Sequence, residues 1–125
     1  MGIGDVPAVV WPEEGGIYKM VQVRSGESQY MRFGSERFKH FDVLRKLLLE
    51  LGIDDFPALD GRSCMPAPES HNYRLVGAGM AHIKLPPKTI MLLGMSEYYQ
   101  MGHDMAAFEE IMHGYPDWTI KRVDG

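Results

Sequence analysis

The feature that most constrains the fold is a short apolar run at residues 90–93, in which apolar and polar residues do not alternate. Successive side chains of a strand point to opposite faces of a sheet, so a strand with one face in water shows an alternating pattern. A run that is apolar at every position indicates a strand covered on both faces. We therefore expect residues 89–95 to form a strand of a sheet that has helices packed on both sides.

Two segments supply candidates for the covering helices. Residues 36–51 carry an apolar stripe at three- and four-residue spacing, with Ser35 as the expected N-cap. Extending this stripe backwards by one turn reaches His40, which we therefore expect to face the sheet. A second helix is expected after Asp104, a residue suited to an N-cap, and should end near Gly114. The apolar stripe of the first helix consists of Val43, Leu44, Leu47, Leu48 and Leu51.

The other segments predict the rest of the sheet and its surroundings. Besides 89–95, strands are expected at residues 17–24, 29–33, 73–76, 81–85 and 118–123. Residues 53–71 hold three prolines and predict a long surface loop, and residues 1–15 predict an irregular lead-in. A chain of 125 residues has room for one hydrophobic core, so residues 16–125 should form one domain. The expected fold is of the α/β class: a single domain with a mixed sheet of about six strands sandwiched by two helices.

Charge and composition narrow the possible functions. The chain has 13 basic and 17 acidic side chains and a net charge of −4, which argues against a general binder of nucleic acid or of an anionic membrane. A local basic pocket for one phosphoryl group stays compatible with that charge. The single cysteine, Cys64, cannot form an internal disulfide, and no apolar run is long enough to span a bilayer. We therefore expect a cytoplasmic monomer.

The histidines do not predict a metal site. None of the five follows another at the spacing of an HxxxH or HExxH motif, and Cys64 has no second cysteine to act with it. We therefore expect neither a metal ion nor another cofactor.

Several short segments share an order and a spacing that point to one protein family. They are Gly16-Ile17-Tyr18-Lys19, Tyr30-Met31-Arg32 with His40, Leu75-Val76-Gly77-Ala78-Gly79, Lys88-Thr89-Ile90 with Gly94-Met95-Ser96, and Tyr115-Pro116-Asp117. In this order they resemble the phosphohistidine phosphatase (Janus) family over about residues 16–118. The resemblance implies removal of the phosphoryl group from phosphohistidine, mainly on protein substrates, without a metal ion.

The same resemblance implies the roles of the site residues. His40 would be the essential catalytic residue, Lys19 would bind phosphate, and the backbone amides around Ser96 would complete the phosphate cradle. A phosphoramidate P–N bond is labile, so such an enzyme mainly needs an anion cradle and one proton-transfer group or nucleophile. The positive end of a helix favours the neutral imidazole, the form that can activate water or attack phosphorus. The candidate phosphate- or substrate-binding residues are Lys19, Lys39, Gly79, Ser96 and Tyr98.

The chain also departs from the family, which keeps a second hypothesis open. Met80 stands where the family usually has an arginine, and the bulky segment after Ser96 begins with Glu97, whose carboxylate would repel phosphate. The alternative is a catalytically silent relative that acts as a protein-binding module or as a subunit of a larger assembly. By itself, a histidine on an apolar helix stripe is more often a packed core residue, and Lys19 could simply extend to water.

Overall fold

The computed structural model describes residues 6–59 and 62–121 of the chain. Ten strands and two helices follow one another within these residues. They are β1 (Gly16–Ser25), β2 (Ser28–Ser35), α1 (His40–Glu50), β3 (Ala58–Leu59), β4 (Arg62–Pro66), β5 (Glu69–Ser70), β6 (Tyr73–Lys84), β7 (Thr89–Leu93), β8 (Met95–Ser96), β9 (Met101–Gly102), α2 (Met105–Met112) and β10 (Thr119–Lys121).

Six of the strands form one mixed sheet, as the sequence predicted. The strand order is β10-β7-β6-β1-β2, and β5 pairs with β6 beside this path. β10 runs parallel to β7, and the other neighbours in the sheet are antiparallel. The predicted closing strand is present as β10, and residues 122 and 123 lie outside the described residues.

The two helices cover opposite faces of the sheet. The buried stripe of α1 packs with Val21 and Val23 of β1, whereas Phe108 and Met112 of α2 pack in a second core with Met20. Met20 and Val21 are neighbours in β1 and therefore point to opposite faces. The predicted sandwich is confirmed, with one core on each side of the sheet.

The first helix begins later than expected. Ser35 is still paired with Tyr18 in the β1–β2 ladder, and its carbonyl oxygen then accepts the Phe38 N–H in a turn. The helix starts at His40, with Lys39 as N-cap, and the Lys39 N–H donates to the Asp42 carboxylate over 3.0 Å. Ser35 as N-cap was therefore wrong. His40 occupies the first turn, at the positive end of the helix dipole.

The two strands expected at 73–76 and 81–85 are one continuous strand, β6, so the expected break between them was wrong. The ladder between β1 and β6 shifts register at Gln22 and Val23 without interrupting the strand. The glycines instead allow neighbouring side chains to lie close to the backbone of β6. A Cβ on Gly77 would collide with the Gln22 side chain, and one on Gly79 would collide with the His103 ring.

The backbone differs from the sequence-based expectation in three further places. The expected loop at 53–71 contains the β3–β4 pair and β5. The lead-in is irregular but attached, because Val9 bridges to Met31 and the Ala8 carbonyl accepts the Met31 N–H. The strand expected at 89–95 is broken at Gly94, whose φ of 68° turns the chain into the β8–β9 hairpin.

The cover over β7 is one-sided. Ile90 is fully buried in the core beneath α2, but Met91 and Leu93 on the other face are only half-buried. Neither of the latter two belongs to a hydrophobic core of the described chain. The prediction that helices cover both faces is therefore confirmed for the sheet as a whole, but it was wrong for β7.

Within the described residues, none of the helices has the length and apolar character that crossing a membrane requires.

Candidate functional site

An open pocket of about 230 Å³ lies where the start of α1 meets β1, β6 and the β8–β9 hairpin. The residues that line it are Lys19, Lys39, His40, Met80, Met95, Glu97 and Tyr98. Four of the six predicted site residues therefore share one cavity, although they come from three separate parts of the sequence. The two others, Gly79 and Ser96, lie behind its wall.

His40 connects the pocket to the sheet. The residue is buried, and its Nε2 lies 2.7 Å from the carbonyl oxygen of Gly79. A carbonyl oxygen only accepts hydrogen bonds, so Nε2 carries the ring proton and the lone pair of the neutral ring is on Nδ1. Nδ1 has no hydrogen bond within the described chain and is not among its buried unpaired polar atoms, so it is accessible from the pocket.

The surroundings of His40 keep its imidazole neutral. Burial, the largest cause, lowers the pKa of His40 below its ordinary value of 6.5. The positive charge of Lys19 lowers it further, while the hydrogen bond to Gly79 acts in the opposite direction. At neutral pH the ring therefore presents a lone pair, which can accept a proton or attack an electrophile.

Two lysines give the pocket its positive charge. Lys19 lies in β1 between Gly34 of β2 and Met80 of β6, and its ammonium group donates to the backbone carbonyl oxygen of Glu36. The half-buried side chain is thus held at the pocket. Lys39 is exposed at the N-cap of α1. Together with the positive end of the helix, they form a site suited to an anion.

Ser96 supports the pocket without lining it. Its side chain is fully buried, and its hydroxyl oxygen accepts the Tyr99 N–H over 3.2 Å. The hydroxyl group therefore stabilises the turn between β8 and β9. The predicted role of the backbone amides around Ser96 in binding phosphate stays a prediction.

Tyr98 forms a wall of the pocket. Its hydroxyl group donates to the Met65 sulfur over 3.3 Å, and its ring meets the Phe41 ring edge to face at 5.0 Å. These contacts hold the ring at the side of the cavity, which stays open. Glu97 is exposed and lines the same cavity, so a carboxylate does stand beside the two lysines.

A second histidine lies behind the site, and sequence reasoning missed it. His103 packs against Gly79, and its Nε2 donates to the carbonyl oxygens of Met80 at 2.9 Å and Leu93 at 3.2 Å. Burial lowers its pKa, and its Nδ1 is buried without a partner. His103 therefore supports the stretch of β6 that holds His40. The one sequence feature that could have drawn attention to His103 is its position directly before Asp104, the N-cap of α2.

In the described part of the chain, no three His, Cys, Asp or Glu side chains come together as a metal site would require. The side chain of Cys64 lies outside the described residues. Known protein-family models give no match to this chain, and no curated protein matches it. The resemblance to the phosphohistidine phosphatases therefore rests on the sequence motifs alone.

Proposed function

We propose that the chain is a metal-independent protein phosphohistidine phosphatase with His40 as its catalytic residue. The observation that carries this proposal is the meeting of Lys19, Lys39 and the accessible Nδ1 of a neutral His40 in one open pocket. Positive charge next to a lone pair suits a phosphoryl group, which is a dianion that must meet a base or a nucleophile.

The reaction can follow either of two routes from this geometry. In the first, Nδ1 of His40 takes a proton from a water molecule while the water oxygen bonds to phosphorus. The P–N bond breaks, its electron pair goes to the leaving imidazole of the substrate, and that nitrogen takes up the proton from His40. In the second, Nδ1 itself attacks phosphorus while the P–N bond of the substrate breaks, and the leaving imidazole nitrogen keeps the electron pair and takes a proton from water. The resulting hydroxide then attacks the phosphorylated His40, which breaks the new N–P bond and returns the lone pair to Nδ1. Both routes yield histidine and inorganic phosphate.

The remaining parts of the site have supporting roles in this proposal. Lys19 and Lys39 balance the charge that develops on the phosphoryl oxygens, so the proposal needs no metal ion. The Gly79 carbonyl fixes the tautomer and direction of the His40 ring. We further propose that the enzyme acts as a monomer in the cytoplasm, a reducing compartment compatible with its single cysteine.

A second candidate function is a catalytically silent binding module. The observation in its favour is Glu97, whose carboxylate lines the pocket in which phosphate would bind. We favour the enzyme because the pocket is open and Tyr98 is held at its side, whereas a silent relative has no need of an accessible histidine lone pair.

The first test is phosphate release from phosphoramidate and from a phosphohistidine peptide. We expect His40→Ala to abolish turnover of both, with a thermal midpoint within a few degrees of the wild type, since Nδ1 supplies the chemistry. The matched control is His71→Ala, an exposed histidine in the turn before β6, which should leave both rates unchanged. Near wild-type turnover by His40→Ala would refute the assignment, and an inactive wild type would leave the binding module.

A further inference from the structure

One half of the sheet has a face that neither helix of the described residues covers. The residues that share it are Ile17 and Lys19 of β1, Met80, His82 and Lys84 of β6, Thr89, Met91 and Leu93 of β7, and Thr119 and Lys121 of β10. The pairing register places Lys19, Met80 and Leu93 in one row across the strands, and Ile17, His82, Met91 and Lys121 in the next. We call this surface the uncovered face.

Several apolar side chains of the uncovered face are exposed or half-buried. Ile17 is 41% exposed, and Met95, at the adjoining start of β8, is 53% exposed. Met80, Met91 and Leu93 are half-buried and belong to neither core of the described chain. A contiguous apolar surface rimmed by polar residues marks an interaction site, and flexible methionine side chains adapt to differently shaped partners.

The charges on this face have one sign. Lys19, Lys84 and Lys121 lie on it, and none of the residues that the described strands direct to it is acidic. The chain as a whole has a net charge of −4, so these three lysines give the face a charge opposite in sign to that of the whole chain. A partner with acidic side chains would be attracted, and a basic one would be repelled.

The uncovered face is continuous with the candidate pocket. Lys19 and Met80 belong to both, and Met95 lines the pocket at the edge of the face. Neighbouring strands lie roughly 4.8 Å apart, so β7 and β10 are about 10–15 Å from Lys19. An extended segment whose central side chain enters the pocket would therefore place its next three or four residues on this face.

We propose that the uncovered face docks the protein substrate and selects segments in which phosphohistidine is flanked by apolar and acidic residues. This inference rests on the proposed function, because the pocket supplies the chemistry and the face supplies the recognition. The apolar residues of the segment cover Met91 and Leu93, and its carboxylates meet Lys84 and Lys121.

The experiment compares three substrates. The first is a synthetic peptide with a central phosphohistidine flanked by Leu and Glu, the second has Lys in place of each Glu, and the third is phosphoramidate. At low salt we expect kcat/KM to be about tenfold higher for the acidic peptide than for the basic one. Lys84→Glu combined with Lys121→Glu should remove this preference and leave phosphoramidate turnover unchanged. Lys46→Glu, an exposed charge reversal on α1, is the control and should keep the preference.

The outcomes separate the inference from the function it rests on. Phosphoramidate turnover with equal rates on the two peptides would overturn the docking face and leave the enzyme standing. A wild type that cleaves none of the three substrates would overturn both. A wild type that elutes as a dimer in size-exclusion chromatography, and as a monomer when Met91→Glu is introduced, would assign the face to a second copy of the chain.

Discussion

His40 combines a packed position in the core with an accessible ring nitrogen. The apolar stripe of α1 buries the ring, which by itself is the more common use of a histidine on such a stripe. The two ring nitrogens divide the roles, because Nε2 donates to Gly79 and Nδ1 is left accessible. Sequence periodicity predicted the burial, but only the hydrogen bond to a distant strand identifies which nitrogen can react.

Lys19 should act mainly through phosphate binding. Its ammonium group is held at the pocket by the Glu36 carbonyl, so a charge-assisted contact to phosphate costs it little further ordering. We expect Lys19→Ala to raise KM for phosphoramidate about tenfold, and Lys19→Arg to restore little of it because a planar fork fits a point-charge site poorly. Lys46→Ala, on the exposed side of α1, is the matched control. An unchanged KM in Lys19→Ala would mean that the lysine has only a structural role.

At the scale of elements, the helices and strands that follow from a pattern within one segment were predicted correctly. The stripe of α1, the Asp104 cap of α2 and the first two strands all follow from local spacing, and the structure confirms them. The start of α1 and the continuity of β6 were wrong because each depends on a neighbouring strand. Ser35 pairs with Tyr18 in the β1–β2 ladder. Gly79 belongs to β6, and its missing side chain leaves space for the His103 ring.

The same distinction explains what was found of the candidate site. Lys19 and His40 were identified through the family resemblance, and the apolar stripe of α1 also predicted that His40 faces the sheet. In the structure both side chains line one pocket. His103 was missed because its role depends on contact with β6, which no spacing within its own segment reveals. Its carbonyl partners, Met80 and Leu93, come together only through the β6–β7 register.

The turn between β8 and β9 places a negative charge, that of Glu97, at the pocket. Glu97 follows the buried Ser96, is exposed and lines the cavity, so its carboxylate would repel the phosphoryl group of the proposed substrate. We expect Glu97→Gln to raise kcat/KM for phosphoramidate about two- to fivefold at low salt, with a smaller gain at high salt. Glu27→Gln, an exposed carboxylate in the β1–β2 turn, should change nothing. A Glu97→Gln variant no faster than the wild type would show that this carboxylate does not impede the substrate.

At the scale of the whole molecule, the uneven cover of the sheet organises the proposed function. α2 covers one face, while α1 covers the half of the other face formed around Val21 and Val23. The pocket lies at the edge of the area that α1 covers, where the helix begins above the sheet. A substrate could thus meet the start of the helix and the exposed strands together.

The stability of the whole fold should depend on pH through the two buried histidines. Burial lowers the pKa of both His40 and His103 below the ordinary 6.5. Once unfolded, both rings return to that value, so between the lowered and ordinary pKa values the unfolded chain binds more protons than the folded one. Their contribution to stability is therefore complete above pH 6.5 and is lost as pH falls through the lowered values.

We therefore expect the free energy of unfolding, measured with urea, to be lower at about pH 5.5 than at about pH 7.5. His103→Gln should weaken this pH dependence, because it removes one of the two titrating groups while keeping a side-chain N–H for the carbonyl oxygens of Met80 and Leu93. His71→Gln, at an exposed position in the turn before β6, is the matched control. Equal stability of the wild type at both pH values would contradict the burial of two neutral rings, and a His103→Gln variant with the full wild-type dependence would assign the effect to His40 alone.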